Sequence, residues 1–155
     1  MMKVTPLVIA CSLANSAGAA VLCAEDEQVF FSCSVGAKSL SVCSADDDAL
    51  HYLFGTPQHI ELEMTSPVHF SRAAYSGGGE GNLTFAAGRY KYVVYSSISN
   101  GDWLEDGSRA KIERAGVYVV KDNQLLKDIP CKTYSGKSYI RQLPAHQEEE
   151  FQYYR

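Results

Sequence analysis

The chain has 155 residues, of which 46% are apolar and 21% charged, with a formal charge of −4 at neutral pH. That size supports one hydrophobic core and one domain. Its acidic balance, with no run of Lys or Arg, argues against nucleic-acid binding, whose affinity depends on clustered cations.

Residues 1–19 read as a cleavable secretory signal. Met1-Met2-Lys3 forms a basic start, Val4 to Leu13 is largely apolar, and Ala17 and Ala19 are the small residues expected before a cut after Ala19. The apolar run is far short of the roughly 20 residues that a membrane-spanning helix needs, and no second such run follows. Val8-Ile9-Ala10-Cys11 also fits a lipoprotein cleavage pattern, although only ten residues precede that cysteine. Removal of residues 1–19 takes away one lysine and no acid, so the charge becomes −5 on 136 residues. The expected location is periplasmic or secreted, in an oxidising compartment.

Loss of Cys11 with the signal leaves Cys23, Cys33, Cys43 and Cys131, an even set with three possible pairings. Strand parity chooses among them. Cys33 shares a face with Val29, Phe31 and Val35, whereas Cys43 shares a face with Ser39 and Ser41, so a regular hairpin does not bring Cys33 to Cys43. Cys131 lies on the face of Ile129 and can meet Cys33 in the core, which leaves Cys23 for Cys43. The four have no Cys-x-x-Cys pair and spacings of 10, 10 and 88 residues, unlike a zinc site.

The body of the chain is a series of short alternating segments, such as Ile60, Leu62 and Met64 between His59, Glu61, Glu63 and Thr65. Strands are expected near 28–35, 38–44, 49–54, 59–65, 68–76, 81–87, 90–98, 110–120 and 124–131. Turn residues separate them, among them Gly36-Ala37, Asp46-Asp47-Asp48, Ser66-Pro67, Ala87-Gly88 and Asp122-Asn123. The fold class is all-β: a single antiparallel meander of about eight strands, closed as a small barrel or folded as a sandwich, spanning residues 20–135. Residues 136–155 form a polar tail in which Pro144 to Tyr154 is compatible with one short helix.

Two segments stand out as contact elements. Tyr75, Ser76, Gly77, Gly78, Gly79, Glu80, Gly81 and Asn82 form a connection richer in glycine than a hairpin requires. Its glycines let a partner approach the backbone, and Ser76, Glu80 and Asn82 add polar groups. A flexible turn is the simpler account of the same residues. It is no phosphate loop, because no Gly-Lys-Ser/Thr follows and Leu83-Thr84-Phe85 reads as a strand. The second element is the turn around Asn100-Gly101-Asp102-Trp103, whose sole tryptophan suits either an interface anchor or a cap on the sheet.

Catalytic patterns are weak. His51, His59, His69 and His146 have no metal-ligand spacing, Asp46-Asp47-Asp48 lacks the spaced ligands of a calcium loop, and no Gly-x-Ser-x-Gly elbow occurs. No cofactor and no metal are expected.

An exported precursor, a cysteine in the first strand, a late-strand cysteine able to close onto it and the Ser76-Gly77 pair between central strands resemble bacterial periplasmic or membrane-bound inhibitors of C-type lysozyme. The resemblance covers residues 28–131 at the level of architecture. It implies a small antiparallel barrel, a lysozyme as protein partner, and Ser76 and Gly77 in an inhibitory loop flanked by Tyr75 or Glu80. The chain departs from the family pattern in carrying Gly78, Gly79 and Glu80 where a tyrosine follows the Ser-Gly pair. The expected function is therefore an exported, non-enzymatic binding protein that inhibits a cell-wall-degrading enzyme. An immunity protein against a delivered toxin, a small secreted hydrolase and an envelope structural protein are the alternatives.

Overall fold

A computed structural model describes residues 20–134 and 142–154. The signal expected over residues 1–19 lies outside the described residues. Nine long strands form where alternation is expected: β1 (Val29–Val35), β2 (Lys38–Ser44), β3 (Leu50–Thr56), β4 (His59–Ser66), β5 (Phe70–Tyr75), β6 (Gly78–Ala87), β7 (Tyr90–Trp103), β8 (Arg109–Lys121) and β9 (Gln124–Pro130). Two short strands complete the set, β10 (Thr133–Tyr134) and β11 (Glu148–Glu149).

The strands form two sheets, β10-β1-β2-β3-β4 and β11-β5-β6-β7-β8-β9. The all-β expectation holds, and the architecture is sandwich-like; the single meander becomes two meanders, β1–β4 and β5–β9, divided after Ser66. All pairings are antiparallel except β11 with β5.

Leu40, Val42, Leu50 and Tyr52 of the first sheet meet Phe70, Leu83, Phe85, Val94 and Val117 of the second in one buried cluster. The Tyr52 ring lies 5.2 Å from Phe85 and 5.9 Å from Tyr92, a geometry of tilted aromatic pairs across the sheets. Burial, with a smaller contribution from Tyr92, holds the Tyr52 hydroxyl well above its ordinary pKa.

Both disulfides join the cysteines that parity selects, Cys33–Cys131 and Cys23–Cys43. The first staples sheet to sheet, because Cys33 lies on β1 and Cys131 follows β9. There the chain crosses over: Cys131 N–H donates to Ala115 O, Lys132 N–H donates to Ser34 O, and β10 then pairs with β1. Both bridges fit an oxidising compartment.

The Cys23–Cys43 bridge holds the N-terminal segment against the outer face of the first sheet, where Leu22 N–H donates to the buried Ser41 hydroxyl. Glu27 of that segment reaches His51 Nδ1 at 2.9 Å, and Glu63 of β4 reaches Nε2 at 2.7 Å. Burial pushes the His51 pKa down, but the two carboxylates together outweigh it and leave the value above 6.5. The stabilisation from this cluster is thus complete below the unfolded value and fades as pH rises through the higher folded one. His51→Gln should cost about 1 kcal/mol or less at pH 5.5, and the difference from wild type should shrink by pH 8.5 in paired urea titrations. A difference that grew with pH would contradict the sign.

Sequence order places the C-terminal tail outside the domain, yet residues 142–154 pack onto it, and the short helix expected over Pro144 to Tyr154 does not form. Instead β11 adds to the edge of β5. Glu148 pairs with Arg72 at 3.1 Å and Glu149 with His69 at 2.6 Å, and Tyr154 packs on the outer-face cluster of Val93, Tyr95, Tyr118 and Val120. Among the described residues no helix is long and apolar enough to cross a membrane.

Candidate functional site

The two contact elements expected from sequence lie at the same end of the second sheet. Pairing of Tyr75 with Gly78 reduces the glycine-rich connection to a two-residue turn, Ser76-Gly77, with Gly77 at φ +83°. Gly78, Gly79, Glu80, Gly81 and Asn82 belong to β6 rather than to a loop. Close packing explains the first two glycines. A Cβ on Gly78 would fall inside the van der Waals shell of the Ile98 carbonyl, and one on Gly79 would stand 2.8 Å from the Ala73 carbonyl.

Beyond this turn, β7 and β8 continue as an arm. β7 runs to Trp103, five residues past the expected end, with a bulge between Asn100 and Trp103. Lys111 ties turn to arm, its ammonium donating to Gly77 O at 2.6 Å and to Asn100 Oδ1 at 2.8 Å. At the tip, Leu104 N–H donates to Ser108 O, while the Ser108 hydroxyl and N–H both donate to Asp106 and hold its carboxyl below the usual pKa. Trp103 is 71% exposed, with the Arg109 guanidinium 4.7 Å from its ring; the same guanidinium donates to Gly101 O. Asp102 is exposed beside it. Tyr75, Ile98, Leu104 and Ile112 add exposed apolar surface on this end of the sheet.

A groove of about 660 Å³ runs beside the turn on the face that carries Phe70 and Leu83 further along. Gly79 and Gly81 contribute bare backbone, Ala74, Ser96 and Ile98 line it, and Arg72 with Glu148 borders it. That volume lies within the range of small-ligand sites, roughly 300–1,000 Å³.

The expected contact residues thus separate into three groups. Tyr75, Ser76, Gly77, Asp102 and Trp103 are exposed, and Gly78 and Gly79 line the groove. Glu80 and Asn82 are interior, 7% and 1% exposed, on the opposite face of β6. Tyr118 donates to Glu80 there at 3.5 Å, beneath a Tyr95–Tyr118 stack with 4.1 Å between centroids. Neither side-chain atom of Asn82 has a hydrogen-bond partner. Because a buried, unpaired amide carries its full desolvation cost, Asn82→Leu should raise stability by about 1–2 kcal/mol; a loss in urea denaturation would show that the amide is engaged. Ile98, Lys111, Arg72 and Ser96 escape a reading of the sequence because only strand register assembles them.

Among the described residues lining the groove none is a histidine. Elsewhere, His51 has a carboxylate on each ring nitrogen, which leaves no nitrogen for a hydroxyl nucleophile. The one metal-compatible grouping among the described residues, Cys23, Glu27 and Cys43, has both sulfurs committed to a disulfide.

No protein-family model, curated protein or solved structure matches the chain.

Proposed function

We propose that the chain is an exported, non-catalytic binding protein that blocks a cell-wall-degrading enzyme of the lysozyme type through the turn-and-arm end of its second sheet. The observation that carries the reading is the joining of Ser76-Gly77 and the Trp103 arm by Lys111 into one exposed surface. A pinned turn loses little entropy on binding, and an exposed tryptophan offers a large rigid contact. The chain's net negative charge would steer it towards a basic enzyme.

Purified protein should suppress lysis of cell walls by a C-type lysozyme, and the Ser76→Ala, Trp103→Ala double variant should raise the concentration for half-suppression by at least about tenfold, the scale of an interface hot spot. Unimpeded lysis at excess protein, or suppression untouched by the double variant, would remove the reading.

A further inference from the structure

We propose that the uncovered half of β5, Arg72 to Tyr75, together with the adjoining groove, is a strand-addition site for an extended peptide segment of another protein. β5 is an edge strand with partial cover: β11 pairs with it in parallel at Phe70 and Ser71, which engages the outward Arg72 N–H and leaves the Arg72 C=O and both backbone groups of Ala74 uncovered. The direction of the remaining backbone groups follows from the ladder. Thr84 N–H donates to His69 O, and the β5–β6 register continues without a shift. In an antiparallel pair, alternate residues exchange bonds with the partner strand. Ser71, Ala73 and Tyr75 therefore turn their N–H and C=O towards β6, whereas Arg72 and Ala74 turn theirs out of the sheet.

Outward backbone groups at strand spacing are complemented by another extended backbone, which identifies the occupant as a peptide. The chain's own tail already uses the first part of this edge in that manner. A segment continuing the line of β11 would send every second side chain over the groove. Ala74, Gly79, Gly81 and Ile98 form an apolar stretch of that groove, with Arg72, Glu80 and Glu148 lining the remainder, so the side chains entering over the apolar stretch are apolar. Arg72 meanwhile is held aside by Glu148 at 3.1 Å. Such an edge is also a hazard, and unlike β9, with Lys127 and Asp128, its uncovered half has a single charged residue, Arg72.

The site is tested in two stages on the disulfide-bonded chain. In the free protein, amide exchange followed by NMR should show Ala74 exchanging rapidly while Ala73 stays protected; protection of Ala74 would overturn the assignment. A random dodecapeptide phage library is then selected on the immobilised chain, and the most enriched peptide is resynthesised for calorimetry. Its binding should weaken at least tenfold on N-methylation of one alternate set of residues and not of the other. Ala74→Pro, which removes an outward N–H, and Ile98→Asp, which charges the groove, should each weaken it similarly, with thermal melting as the control for folding. No enriched peptide, wild-type affinity for either variant or indifference to N-methylation would refute the proposal. So would sedimentation showing that a second copy of the chain occupies the edge. Peptide capture and lysozyme suppression are separate readouts, so either can fail alone.

Discussion

Replacing Cys33 and Cys131 together by alanine should lower the free energy of unfolding by about 3–5 kcal/mol. The bridge spans 98 residues of sequence, and closing a loop of that size in the unfolded chain corresponds to roughly 4–5 kcal/mol of chain entropy. It is also the disulfide that ties one sheet to the other. Once it is gone, the crossover rests on Lys132 N–H to Ser34 O, the short β10 pairing and the packing of Tyr134 on Phe31 at 5.4 Å. Since small domains hold about 5–15 kcal/mol in all, that loss is a large share of the total. Loss of Cys23–Cys43, with a separation of 20, should cost about 3 kcal/mol and act locally by releasing the segment that brings Glu27 to His51. Equilibrium urea titrations of the two double variants give the ordering. A loss below about 1 kcal/mol for Cys33/Cys131 would mean that the core alone holds the sheets together.

That closure was legible before any coordinates because period-2 alternation fixes which cysteines share a face. The same rule located nine strands. It failed where side chains stop alternating: the Gly78-Gly79 start of β6 reads as a loop, and Ser96, Ser97, Ser99 and Asn100 give no apolar signal for the second half of β7. The division into two sheets and the parallel β11 are long-range outcomes that no local pattern encodes. In β11 the pair Glu148-Glu149, good helix formers, is extended because Arg72 and His69 hold it along β5, a tertiary contact overriding propensity. The site was half legible. Composition marked the turn and the tryptophan as candidate contact elements, but not their exposure or their union through Lys111, nor that Glu80 and Asn82 point to the other face. Parity could have supplied the last point once Leu83 and Phe85 were placed in the core.

The glycines of β6 offer the sharpest separation of packing from recognition. Gly78→Val should destabilise the protein by about 1–3 kcal/mol, because its Cβ would collide with the Ile98 carbonyl, and backbone of a paired strand cannot yield as a flexible side chain does. The damage should be directional. Forcing β6 away from β7 at this point detaches Gly77 from Asn100 and Lys111, so the turn loses its tether while the inter-sheet core around Phe85 and Tyr52 is untouched. Hydrogen exchange should therefore quicken at Gly79 and Ile98 and stay slow at Val94 and Val117. Ser76→Ala, an exposed change in the same turn, should move stability by no more than about 0.5 kcal/mol. If instead Gly78→Val melted like wild type, the glycine would not be required by packing. Its bare backbone would then have to be explained by what lies against it from outside.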